Sequence, residues 1–186
     1  GLLNFEPQGY LTWYYNAAYT SRWIQSYAST GSNGDMFNVM GATGGQGGMT
    51  VEVLKSAREV SYLLDNMDPA EAAKYQYIKH MFSPILVYLG MFDTDMYGDM
   101  PYTEAVMARY TNPMLLTPKF DTMEELYTIW YDQLVEAVNV LSNPVTVNGT
   151  QITQTALGAQ DFVYGGNAAK WAKFANSLKL KLAVRL

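Results

Sequence analysis

The stretch Tyr97-Gly98-Asp99-Met100-Pro101-Tyr102-Thr103-Glu104-Ala105 divides the chain. It closes one long apolar segment and turns the backbone toward the next. Gly98 can take the left-handed conformation that ends a helix without a Cβ clash. Pro101 cannot continue a helix, and it pushes Met100 into an extended conformation. These residues predict a helix stop followed by an ordered turn.

Apolar spacing predicts helices on both sides of that turn. Over 10–28, Leu11, Tyr14, Tyr15, Ala18, Trp23 and Tyr27 line one face. Thr50 is a candidate N-cap, with Val53, Leu54, Ala57, Val60, Leu63 and Leu64 as the stripe behind it. Asp68-Pro69-Ala70-Glu71 predicts a capped start with a capping-box-like Glu71, and a helix running to about Met96 with a kink at Pro84. Residues 106–118 predict an extended loop punctuated by Pro113 and Pro118. Thr122 and Glu125 predict a capping box for a helix that Pro144 ends, with Leu126, Trp130, Leu134, Ala137, Val138 and Leu141 facing inward. Asn148-Gly149 marks a turn in a small hairpin or irregular loop. Asn167 is the expected cap of a last helix packed through Trp171, Phe174, Ala175, Leu178 and Leu182. The expected fold class is all-α, a helical array with long, structured loops. No regular repeat of ~34 residues is visible in it.

The last helix carries a second sharp stretch. Tyr164-Gly165-Gly166-Asn167 precedes Lys170-Trp171-Ala172-Lys173-Phe174-Ala175-Asn176-Ser177-Leu178. Together, in this order and separation, the two stretches resemble the paired signatures of the SusD/RagB family, surface glycan-binding lipoproteins of Bacteroidetes-type bacteria. The resemblance is close from Val51 to Leu186 and looser before Thr50. It implies antiparallel helix pairs stacked as in tetratricopeptide repeats. It implies that 1–186 is a single helical domain, the N-terminal part of a longer protein whose C-terminal part is absent. It also implies an outer-membrane, cell-surface location through a lipid anchor that this chain lacks, and capture of oligosaccharide or polysaccharide for a TonB-dependent SusC-like transporter. Binding without hydrolysis follows from the same likeness, so no enzyme, cofactor or metal is expected. Within the signatures, Gly98, Asp99, Pro101, Glu104, Trp171 and Asn176 read as structural.

Composition narrows the classes independently. Hydrophobic residues make up 49% of the chain and charged residues 16%, which suits a globular core rather than disorder. The net charge of −5 with no basic block argues against nucleic acid. No apolar window approaches the ~18–20 residues of a membrane span. Without cysteine, disulfides and Cys-based zinc sites are excluded.

Three places carry candidate chemistry. The loop 29–49 holds repeated glycines with no Lys or Arg, so it does not fit a phosphate cradle. With the helix before it, it offers Trp23, Tyr27 and Phe37 as stacking faces for a pyranose. Asn33, Asp35, Asn38 and Gln46 are the hydroxyl partners there. The other reading is that these rings anchor the loop to the helices. Asp93, Asp95, Asp99 and Glu104 form an acidic cluster that invites a glycosidase or calcium reading. Its competing role is to bond backbone amides at a helix end. His80, the only histidine, has no partner for a nucleophilic triad, so a surface or packing role is expected. Set beside glycan capture is a different class: a helical-repeat module that binds only another protein.

Overall fold

The structure, a computed structural model, describes residues 48–185. The predicted helix over 10–28 and the glycine-rich loop up to residue 47 lie outside the described residues. Helix α1 (Gly48–Asp65) leads through a short α2 (Pro69–Ala72) and a 3-10 turn (Ala73–Tyr75) into α3 (Gln76–Tyr97). A loop with a 3-10 turn (Ala108–Tyr110) reaches α4 (Met123–Ser142). A two-residue hairpin, β1 (Thr146–Val147) with β2 (Thr150–Gln151), and a further 3-10 turn (Gly158–Gln160) precede α5 (Ala168–Arg185).

Contacts near the helix ends set the directions. Thr50, early in α1, bonds Asp93, late in α3, so these helices run antiparallel. His80 near the start of α3 faces Glu136 near the end of α4. Arg185 at the end of α5 reaches Tyr127 near the start of α4. The result is an up-down array in which α3 packs on α1, α4 and α5. This is the expected all-α class of antiparallel helix pairs with long structured loops.

The core gathers where α3, α4 and α5 meet. Trp130, Leu126, Leu134 and Ala137 of α4 and Leu182 of α5 are fully buried. Tyr102 meets the Trp130 ring edge-on at 5.7 Å between centroids. Helices α3 and α4 approach so closely here that a Cβ on Gly90 would lie 2.4 Å from Trp130 Cζ2. Glycine at 90 is therefore a packing requirement of the indole.

Several predicted caps form. Asp68 Oδ1 accepts from Ala70 N and Glu71 N, and Pro69 begins α2. Thr122 and Glu125 make a reciprocal capping box. Asn167 Oδ1 accepts from Lys170 N at 3.0 Å. Asn148 (φ 49°) and Gly149 (φ 78°) form the hairpin turn, with the paired positive φ values of the primed type.

Three expectations need correction. Thr50 lies inside α1 and does not cap it, because its N–H and Oγ1 both go to Asp93 Oδ2, at 3.0 and 2.6 Å. Glu71 does not close a capping box, because its Oε1 pairs instead with Lys74 at 2.6 Å. The helix from Asp68 is interrupted at Ala73–Tyr75. There the Gln154 side chain inserts, accepting from Tyr77 N and donating to the carbonyl of Ala73. A helix passes through Pro84 without ending.

Candidate functional site: two signature corners

The first signature begins where α3 stops. Gly98 N–H gives the last helical bond to Thr94 O at 2.9 Å, and Gly98 itself sits at φ 76°, ψ −131°. That is the mirror image of extended backbone, more exclusive to glycine than the left-handed helical region expected for this residue. The chain then runs beside the lead-in to α4. Met100 and Asp121 exchange backbone hydrogen bonds of 3.2 and 3.0 Å. Beyond Pro101, the buried Asp121 side chain gathers the loop. Its Oδ2 accepts from Tyr102 N at 2.9 Å and Thr103 N at 2.7 Å, and its Oδ1 accepts from Thr103 Oγ1 at 2.7 Å. Lys119 Nζ lies 3.1 Å from Oδ1. Burial alone would raise this carboxyl, but the bonds from Thr103, Lys119 and Tyr102 outweigh it and hold it below the usual carboxylate range.

Other side chains lock the same corner. Arg58 Nη2 of α1 donates to the carbonyls of Tyr102 (3.1 Å) and Thr103 (2.8 Å). The buried Tyr102 hydroxyl, its pKa pushed up to about 12 by burial, donates to Gln133 Oε1 at 2.8 Å. Asp99 accepts from Met123 N, the first residue of α4, at 3.1 Å. Glu104 accepts from Lys119 N at 2.8 Å.

The second signature is built around another buried carboxylate. Asp161 Oδ1 accepts from Val163 N (3.0 Å) and Tyr164 N (3.2 Å), and Oδ2 accepts from Gly166 N (2.8 Å). Oδ2 also accepts from the Trp171 indole N–H at 2.7 Å. Burial pushes this carboxyl up, and the four donors outweigh that and hold it down. Trp171 is buried, with Tyr164 edge-on to it at 5.1 Å. Asn176 lies on the exposed side of α5.

The acidic cluster is dispersed in space. Asp93 holds Thr50, and burial pushes its carboxyl up. Asp95 forms a two-point ion pair with Arg185, both contacts at 2.8 Å. With Asp99 and Glu104 bound to backbone amides, these carboxylates serve separate partners and do not converge on a glycosidic bond. Among the described residues no group of His, Asp and Glu side chains gathers that could hold a metal ion. His80 is buried at the α3–α4 contact, its Nε2 4.0 Å from Glu136 Oε1, and burial lowers its pKa. An open groove of about 400 Å³ lies between Pro69, Gln76, Asn139, Asn143 and the hairpin, with no ionisable group in its lining. The predicted ligand residues Trp23, Tyr27, Asn33, Asp35, Phe37 and Asn38 lie outside the described residues.

Sequence reasoning missed Asp121, Asp161 and Arg58, which hold both corners together. A signal existed for Asp161, because an Asp shortly before Tyr-Gly-Gly suits a side chain that accepts from amides two and three residues on. None existed for Asp121 or Arg58, whose partners are distant in sequence.

A search of curated proteins gives no significant match. Among solved structures, the chain is similar to a SusD/RagB family protein from Bacteroides thetaiotaomicron VPI-5482, with 27% identity and a TM-score of 0.54. That match covers 74% of this chain and 25% of the other, so the chain spans only a fraction of its relative's length. No helix among the described residues is long and apolar enough to cross a membrane. The profile of SusD-like proteins, described as starch-binding and associating with the outer membrane, matches residues 17–186, and the chain belongs to the SusD/RagB family.

Proposed function

We propose that this chain is the helical part of a cell-surface protein that binds glycan by stacking and hydrogen bonding, without covalent chemistry. In this reading the full-length protein is lipid-anchored on the outer membrane and passes oligosaccharide to a TonB-dependent SusC-like transporter. The observation that carries it is the assembly of both signatures as fixed corners whose carboxylates are committed to backbone amides, an indole N–H and a lysine. Such carboxylates shape a scaffold and leave neither a general acid nor a nucleophile at these corners. Membership of a starch-binding family supplies the ligand class. The test is affinity electrophoresis of the full-length protein through gels containing amylopectin, xylan, galactomannan or pectin. Retardation by at least one polysaccharide, without release of reducing sugar, is the expected result. Migration unaffected by all of them would defeat the glycan reading.

One observation favours the second reading, a helical module that binds only protein. Met114, Leu116 and Phe120 project from the loop before α4 with 67%, 72% and 54% of their surfaces exposed. Large apolar side chains this exposed along one loop are the kind that protein partners cover. Stable co-purification with another protein, combined with no retardation in any gel, would establish that reading.

A further inference from the structure

The first signature also positions a cluster that its own residues do not contain. Past Ala105 the chain reverses at Val106, which holds φ at 63°. A β-branched residue rarely adopts this conformation, and strain of this kind concentrates at ligand-contacting sites. The 3-10 turn Ala108–Tyr110 follows at once and lays Arg109 and Tyr110 against α1. The Tyr110 hydroxyl donates to Glu59 Oε2 at 2.7 Å, and Arg109 Nη1 lies 3.1 Å from the same oxygen. The Tyr110 ring sits 5.1 Å from that of Tyr62, inclined at 40°. The Arg109 guanidinium lies 5.9 Å from the Tyr110 centroid. Tyr62 keeps 43% of its surface exposed. The Arg109 side chain is 69% exposed and that of Glu59 32%.

We propose that Tyr62, Tyr110, Glu59 and Arg109 form a carbohydrate-contacting platform for a neutral pyranose of the bound glycan, a site that rests on the glycan-binding reading above. An exposed aromatic face matches the apolar C–H face of a pyranose. Beside it stand an acceptor, Glu59, and a planar donor, Arg109, the pair that vicinal hydroxyls require. The Arg109 charge is already met by Glu59, so the platform favours a neutral sugar over a uronate. One of the two rings is held before any ligand arrives. Tyr110 is fixed through its hydroxyl, and Arg58 ties α1 to the signature carbonyls one residue before Glu59. A preorganised platform lowers the ordering cost of binding. The signature corner thus sets the register between two aromatic side chains that lie outside its motif.

The test uses the full-length protein in the same polysaccharide gels, followed by titration with an oligosaccharide of the retarding polymer. Tyr62→Ala is expected to weaken binding roughly tenfold or more, as loss of an anchoring aromatic does. Arg109→Ala, at a largely exposed position, should weaken it by a smaller factor while leaving the helical circular dichroism and Tm unchanged. Tyr62→Trp should retain binding, which a loss through misfolding would not allow. If wild type is retarded and all three variants bind equally well, this platform is overturned and the glycan reading stands. If wild type binds none of the polymers, both are overturned.

Discussion

The two signature corners solve the same problem at different sequence ranges. Each uses one buried aspartate to collect backbone N–H groups that the chain cannot pair otherwise. Asp161 collects donors from Val163, Tyr164 and Gly166, two to five residues away, and one indole ten residues on. Its corner closes locally and leads directly into the capped start of α5. Asp121 reaches back 18 and 19 residues to Thr103 and Tyr102, and it carries a lysine counter-ion. Its corner joins the end of α3 to the start of α4, two points that the chain itself separates by a long loop. A local staple shapes a turn, whereas a distant staple fixes how two helices approach one another.

The strongest way to break this contrast is Asp121→Ala. It leaves the buried Tyr102 N–H and the partly buried Thr103 N–H without an acceptor, and a loss of about 3–5 kcal/mol is expected from urea unfolding. Asp161→Ala should cost less, about 2–3 kcal/mol, because several of its donors lie near solvent and the corner is short. Equal costs would show that the two staples are equivalent. Trp171→Phe sharpens the second corner. It keeps an aromatic ring in the core but removes the indole N–H from the Asp161 carboxylate, and a loss of about 1.5–2 kcal/mol by the same measurement is expected.

Acid titration separates the corners from the rest of the fold by sign and window. Folded Asp121 and Asp161 are held below the usual range, so their contribution is complete above the unfolded value of ~3.9 and is lost as pH falls through their folded values. Folded His80 is also lowered, through burial, so unfolded chains bind its proton first and stability declines as pH drops from ~6.5 toward the folded value. His80→Gln should remove this upper slope and leave the steeper limb below ~4 intact. Asp121→Asn and Asp161→Asn should flatten that lower limb. An upper slope unchanged by His80→Gln would assign it to another group.

Much of the fold was legible because it is written in local chemistry. Thr122 with Glu125, Asn167 before Lys170, and Asn148-Gly149 each satisfy backbone groups within a few residues, so residue type and spacing suffice. The inward stripe of α4 followed from its period alone, with Leu126, Trp130, Leu134, Ala137 and Leu141 buried as expected. Thr50 was misread because a threonine before an apolar stripe looks the same whether it caps or crosses to another helix. Its partner Asp93 is 43 residues away. The interruption at Ala73–Tyr75 escaped notice for the same reason, since Gln154 supplies the bonds. The aromatic pair Tyr62 and Tyr110 joins α1 to a loop 48 positions later, and no local pattern links them.

Residue order alone determined that this chain is helical, where most helices start, and that glycine and proline end α3 in a corner. Those outcomes depend on dihedral preferences and on amides satisfied nearby, which act before any long-range contact forms. Only the tertiary structure decided which carboxylates are buried, why Gly90 must lack a side chain, and which loop tyrosine meets Tyr62 of α1. Those outcomes depend on burial, and burial exists only once distant segments have excluded water between them.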